Sequence, residues 1–239
     1  MPEMAEHIVK SFSGELKRLR VMITDMGGMV ENQVELACRA VVERDAALAA
    51  RAVEADPAVD AVEREVEQFV IRLIALRQPM AQDLREIVAS LKITGDLERI
   101  GDYAANVAKR SLVLGQYNLP TTLPGLTHMS RLVQENLKSI IDAVGEGDTD
   151  KALQVWRSDE VIDEIYNALF RELITYMMED PRNITPCTHL LFIAKNLERI
   201  GDHATNIAET VYYVVKGEPL QDARPKGDTS AYAVIRHPE

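Results

Sequence analysis

Cysteine is nearly missing from this chain. Cys38 and Cys187 are the only two in 239 residues, they lie far apart, and neither belongs to a CxxC or Cys/His spacing. A disulfide framework is thereby excluded and a structural zinc site disfavoured, and the pair reads as buried thiols suited to a reducing compartment. Long apolar runs are missing too. The longest stretch free of Asp, Glu, Lys and Arg, Ser111 to Ser130, holds Pro120, Pro124 and two glycines, so it cannot span a membrane. Met1 to Ser13 has no apolar core of a secretory signal, and the expected location is the cytoplasm. Basic residues are in deficit: 27 Lys plus Arg stand against 38 Asp plus Glu, a formal charge of −11. That balance excludes a protein that holds nucleic acid by general phosphate neutralisation and favours cations or basic partner surfaces. No Ser/His/Asp arrangement, glycine-rich phosphate loop or HExxH is present, and the absence of any Glu-x-x-His counts against a redox di-iron enzyme.

What the chain does have is helical spacing. Leu16, Leu19, Ile23, Met26, Val30, Val34, Ala37 and Val41 advance by three or four residues, the stripe of a core-facing helix. With 46% hydrophobic residues, only 5% aromatics and no run of period two, the fold class is all-α. Met22, Met26 and Met29 with Gly27 and Gly28 read as core filling or a kink.

The sequence also repeats itself. Leu97-Glu98-Arg99-Ile100-Gly101-Asp102 recurs unchanged as Leu197-Glu198-Arg199-Ile200-Gly201-Asp202, and Asn106 recurs as Asn206. Asp45, Ala49, Asp56 and Asp60 match Asp148, Ala152, Asp159 and Asp163 at an offset of 103. The chain is two copies of one unit, and each unit divides into three helices. Breaks near Asp45, at Pro79, at Gly145-Glu146-Gly147 and at Pro181 predict helices over 11–44, 46–77, 81–115, 127–145, 149–179 and 185–216. A kink or restart is expected at Asp56-Pro57. The domain reading is a first three-helix bundle over 1–115, a linker over 116–126, a second bundle over 127–216 and a disordered tail over 217–239.

Glu98, Asp102 and Asn106, like Glu198, Asp202 and Asn206, are spaced i, i+4, i+8 and form an oxygen-bearing stripe opposite Leu97, Ile100, Ala104 and Val107. The acids are accordingly expected near the surface. Asp56 with Asp60, and Asp159 with Asp163, repeat the spacing on the preceding helices. Folding each helix pair about its proline brings Asp60 level with Glu98, Asp56 with Asp102, Asp163 with Glu198 and Asp159 with Asp202. Four facing carboxylates repel, and a bound cation removes that penalty. All-oxygen donors suit iron, manganese, magnesium or calcium, and zinc less well. Acids every four residues are also the ordinary pattern of a solvated helix face; duplication with a facing pair in both copies favours metal binding at Asp56, Asp60, Glu98, Asp102, Asn106, Asp159, Asp163, Glu198, Asp202 and Asn206. Gly101 and Gly201, costly inside a helix, point to close helix packing or to backbone approach to a ligand, with packing favoured.

The doubled Leu-Glu-Arg-Ile-Gly-Asp, Met26-Gly-Gly-Met-Val-Glu31, Arg77-Gln-Pro79, Thr175-Tyr-Met-Met-Glu-Asp180 and Tyr212-Tyr-Val-Val-Lys-Gly217 closely resemble the PhoU family over roughly residues 8 to 218. The resemblance implies two tandem three-helix bundles and a non-enzymatic negative regulator of phosphate uptake and of the phosphate-starvation (Pho) response. It implies an adaptor between the ATPase PstB of the phosphate ABC transporter and the sensor kinase PhoR, with homodimers common and the membrane reached only through partners. It also implies multinuclear metal on ExxxD motifs in some members, matching Glu98 with Asp102 and Glu198 with Asp202. The competing readings are a metal-dependent carboxylate-cluster enzyme and a metal-free helical scaffold.

Overall fold

The computed structural model describes residues 2–119, 124–224 and 227. Six helices follow in order: α1 (Pro2–Glu43), α2 (Ala46–Arg77), α3 (Ala81–Leu114), α4 (Pro124–Glu146), α5 (Thr149–Glu179) and α6 (Ile184–Lys216), with a single 3-10 turn, Pro181–Asn183, before α6. Among the described residues there is no strand. No helix among them is long and apolar enough to cross a membrane.

The repeated aspartates begin the second helix of each unit. The Asp45 carboxylate accepts from the amides of Ala47 (2.7 Å) and Leu48 (3.3 Å), and that of Asp148 from Asp150 (2.9 Å) and Lys151 (3.0 Å). Each satisfies otherwise unpaired N–H groups of a first turn, worth about 1 kcal/mol. Gln78, at φ 47°, ends α2. Asp180 ends α5 and accepts from the Arg182 amide.

The stripe on α1 is the core: Leu19, Ile23, Met26, Val30, Val34 and Ala37 are buried, and Met22 and Met29 pack at its edge. Helices α1–α3 make one bundle and α4–α6 the other, and α3 against α6 is the most extensive contact between the two. There Tyr103 and His203, equivalent positions of the repeat, stack at 5.6 Å between ring centroids, and Arg110 lies over Phe192 at 4.1 Å. Gly27 lets α1 approach α4, because a Cβ there would stand 2.9 Å from Ile141 Cγ2. Cys38 and Cys187 are free and buried, and burial pushes the Cys38 thiol up to about 12.

Several boundaries differ from the sequence reading. Helix α1 begins at Pro2, nine residues before Ser11, and α4 begins at Pro124, inside the expected linker. A proline is already shaped for a helix's first turn, which apolar spacing does not register. Helix α2 runs through Pro57 without a restart. The part of the linker at 120–123 lies outside the described residues. The segment after Gly217 departs from the expected disordered tail as far as it is described: Arg224 and Gly227 lie against the second bundle, and Leu220 packs beside Val88 of α3 and Tyr213 of α6. The remainder of that tail, at 225–226 and 228–239, lies outside the described residues.

Candidate functional site

The antiparallel hairpins α2–α3 and α5–α6 bring the predicted acids together as two clusters. The first holds Asp56 and Asp60 from α2 and Glu98 and Asp102 from α3, with Glu63 added one turn further along α2. Leu97, Ile100, Ala104 and Val107 are buried on the opposite side of α3, as the spacing requires. Partial burial, reinforced by neighbouring carboxylates, raises the Glu98, Asp102 and Glu63 carboxyls above the ordinary range: Asp102 and Glu63 press on Glu98, Asp56 on Asp102, and Glu67 and Asp60 on Glu63. The Arg99 guanidinium, on the same helix, stands 3.6 Å from Glu98 and 3.7 Å from Asp102 and relieves part of this repulsion. Asn106 is exposed.

Gln33 of α1 completes the first cluster and was not among the sequence candidates. Fully buried, it donates from Nε2 to Asp56 Oδ1 (3.0 Å) and to the Ala52 carbonyl (3.1 Å). Its Oε1 has no hydrogen-bond partner and would stand 3.0 Å from a Cβ at position 101. Gly101 is therefore the gap through which α1 reaches α3. Gly201 packs likewise, against Ile162 at 3.1 Å. A signal for Gln33 exists in the sequence, as an amide on the apolar stripe between Val30 and Val34.

The second cluster pairs the same residue types and is closed. Asp159, Asp163 and Glu198 are buried rather than near the surface. Asp202 keeps a modest exposure. Between them lies the side chain of Arg224, from beyond α6. Its Nε donates to Asp159 Oδ2 (2.9 Å), Nη2 to Asp202 Oδ1 (2.6 Å) and to the Asp202 carbonyl (3.1 Å), and Nη1 to Asn206 Oδ1 (3.1 Å). Three residues on, the Gly227 amide donates to Asp163 Oδ2 (2.7 Å), and the Gly227 carbonyl accepts from Asn167 (2.6 Å). Nothing in the local sequence marks Arg224, because its partners lie 18 to 65 positions away.

Glu198 is the least satisfied acid. Lys195 Nζ donates to Oε1 at 2.8 Å, while Oε2 is buried with no hydrogen-bond partner. Burial, with the Asp202 and Asp163 charges, pushes its carboxyl up to about 7 against the pull of Lys195. Burial also raises Asp159 in spite of Arg224. Asp96 of the first bundle reaches the edge of this site, 2.7 Å from His203 Nδ1 and 3.3 Å from Asn206 Nδ2.

Both clusters offer only hard oxygen donors, and the unpartnered Glu198 Oε2 and Gln33 Oε1 leave acceptor capacity in each. The donor chemistry fits a hard cation. Among the described residues the acids are spread along stripes, and no three His, Cys, Asp or Glu side chains are grouped so as to hold a metal ion. A cation would have to draw them inward.

Comparison with known proteins settles the family. The PhoU domain matches residues 23–111 and again 126–211, one match to each bundle. The chain belongs to the PhoU family. It is 51% identical over 226 residues to the phosphate-specific transport system accessory protein PhoU homolog of Caulobacter vibrioides, covering 94% of this chain and 98% of that one. The homolog of the same name from Rhizobium meliloti is 50% identical, with 94% and 95% covered. Among solved structures, PhoU from Pseudomonas aeruginosa superposes with a TM-score of 0.85 at 41% identity, covering 87% of this chain and all of that one. The phosphate transport system regulatory protein PhoU from Streptococcus pneumoniae gives 0.81 at 31%, with 88% and 99% covered. All eight predicted acids lie inside the two PhoU matches, whereas Arg224 and Gly227 lie beyond both.

Proposed function

We propose that this PhoU-family chain is a non-enzymatic cytoplasmic adaptor that restrains phosphate uptake and holds the phosphate-starvation response off when phosphate is plentiful. Its partners in this reading are the transporter ATPase PstB and the sensor kinase PhoR, and the working unit is a homodimer. The observation that carries the reading is the near full-length match to accessory proteins of the phosphate-specific transport system. The surface is consistent with it. Around the α2–α3 turn Ile71, Leu76, Met80, Leu84 and Val88 are exposed, and apolar exposure of this kind marks sites where another protein docks. The transporter's state would then bias which partner is held, since a ligand shifts an equilibrium only by its differential affinity for two states.

The two acidic clusters join this reading as cation sites. Asp56, Asp60, Glu98 and Asp102 would hold a hard cation, iron, manganese, magnesium or calcium, which would neutralise their repulsion and brace α2 against α3. Asp159, Asp163, Glu198 and Asp202 are the corresponding set, with Asn206 beside them.

The test is co-purification of the full chain with PstB and with the cytoplasmic part of PhoR, alongside a Leu76→Asp, Met80→Asp variant and a metal assay on the same samples. Retention of either partner by the parent and its loss in the folded variant is the expected result. Failure to retain both partners overturns the adaptor reading. Absence of bound metal from the parent after purification in its presence overturns the cation reading alone.

A further inference from the structure

The residues described after α6, 217–224 and 227, are seated in a way the phosphate-regulator reading does not use. Gly217, at φ +81°, ends α6 in a left-handed turn and sends the chain back along the helix. From Lys216 to Asp202 the helix covers about 21 Å at 1.5 Å per residue. Gly217 to Arg224 spans at most about 25 Å when extended, so the segment is long enough to run back to the acids. It is held lightly. Glu218, Pro219, Gln221, Asp222 and Ala223 are exposed. Among the described residues of the segment, Leu220 is the apolar anchor, packed beside Val88 and Tyr213.

The far end is held by charge. Arg224 places one guanidinium among Asp159, Asp202 and Asn206, and Gly227 caps Asp163. A single positive charge leaves this cluster incompletely satisfied, as the buried and unpartnered Glu198 Oε2 attests. Among the described residues the first cluster has no such plug. Its guanidinium, Arg99, belongs to the same helix as the acids, is mostly exposed and stands 3.6 to 3.7 Å away.

We propose that residues 218–224, together with Gly227, form a tethered, displaceable guard over the second carboxylate cluster, with Arg224 standing in for a hard cation, so that the two clusters load unequally. The first is open. The second admits a cation only when the segment lifts. The loading half rests on the cation reading above; the seating of the segment does not.

Two measurements on the full-length protein test it, in the parent, in Arg224→Ala and in Leu220→Ser, which loosens the anchor without touching the cluster. Hydrogen exchange of the peptide covering 218–227 needs no metal. The parent is expected to protect it by about tenfold over an unstructured chain, and both variants to lose that protection. Mn²⁺ is the probe for loading, with the number bound read by electron paramagnetic resonance and the place by quenching of Trp156, the only tryptophan, one turn before Asp159. The parent should bind Mn²⁺ without quenching. Each variant should take one further ion per chain and quench Trp156, and adding Asp159→Asn with Asp202→Asn to Arg224→Ala should abolish the gain.

Parent exchange at the unstructured rate overturns the proposal. So does Trp156 quenching in the parent equal to that in the variants, which leaves the cation reading standing. Mn²⁺ uptake by neither parent nor variant overturns both.

Discussion

One motif appears twice in this molecule in two electrostatic states. Glu98 and Glu198 sit in identical six-residue sequences, yet their side chains are 20% and 5% exposed. The difference lies in what comes from outside the motif. The first cluster is braced from within by Gln33 of α1; at the offset of 103 that relates Asp45 to Asp148 the corresponding residue is Asn136, a shorter and only partly buried amide. The second is covered from without by Arg224, on the segment that follows α6. Burial then dominates the second set, while mutual repulsion adds to partial burial in the first. Identical ligand spacing thus fixes which oxygens face one another, and the third element decides whether the site is open.

The largest expected effect comes from breaking the plug. Arg224→Ala leaves Asp159 buried beside Asp163 and Glu198 without its guanidinium, and removing one partner of a buried pair costs 3–5 kcal/mol in the general case. Because the segment can lift and admit water, a loss of about 2 kcal/mol is expected here, read as a lower urea midpoint at unchanged slope. Arg224→Lys keeps the charge but not the fork, and should recover less than half of it.

Next is the pH dependence of Glu198. Its folded carboxyl titrates near 7 against an ordinary value of 4.5, so between those values the folded state binds more protons than the unfolded chain. Stability is then highest below 4.5, falls as pH rises and is lowest above 7, with a slope of at most about 1.4 kcal/mol per pH unit. Glu198→Gln, neutral throughout, removes the decline. Parent and variant should coincide at pH 4, and the variant should be more stable by on the order of 1–2 kcal/mol at pH 8, the lost Lys195 pairing taking back part of the gain. Glu98→Gln should show the same sign over a narrower range, since its carboxyl is also raised but more exposed.

Much of this was legible in the sequence. Pro79 and Pro181 marked the hairpin turns, and reflection about them paired Asp56 with Asp102 and Asp159 with Asp202, as the structure has them. Those contacts are legible because a short turn between long helices fixes their register. Asn106 obeys the same spacing and stays exposed, whereas its counterpart Asn206 is held by Arg224 and Asp96 from outside the motif. Gln33 was readable as a polar break in an apolar stripe. Arg224 was not, since a polar segment with one leucine carries no period, and its partners are set only once α5 and α6 have packed.

The glycines sharpen the comparison at a smaller scale. A Cβ at position 101 meets Gln33 Oε1 at 3.0 Å, and one at 201 meets Ile162 Cδ1 at 3.1 Å. Alanine gains about 1 kcal/mol of helix propensity at either position. At 201 the flexible end of Ile162 can yield, so Gly201→Ala should be near neutral. At 101 the amide must move, and its bonds to Asp56 and Ala52 move with it. Gly101→Ala should therefore lose about 1 kcal/mol net, visible in thermal melts of the two variants side by side.

The smallest effect is expected where the first cluster most resembles the second on paper. Arg99 touches two acids, as Arg224 does, and a count of ion pairs would rate them alike. Yet Arg99 is 59% exposed and its distances are 3.6 and 3.7 Å, too long for a directed hydrogen bond. Water screens it, and holding a long side chain costs entropy, so Arg99→Ala should change stability by no more than about 0.5 kcal/mol. Salt makes the contrast sharper. Raising NaCl from 0.05 to 0.5 M shortens the screening length from about 14 Å to about 4 Å; this should erase the Arg99→Ala effect and leave most of the Arg224→Ala effect in place. Equal salt sensitivity in the two variants would mean that the second cluster is as open to solvent as the first.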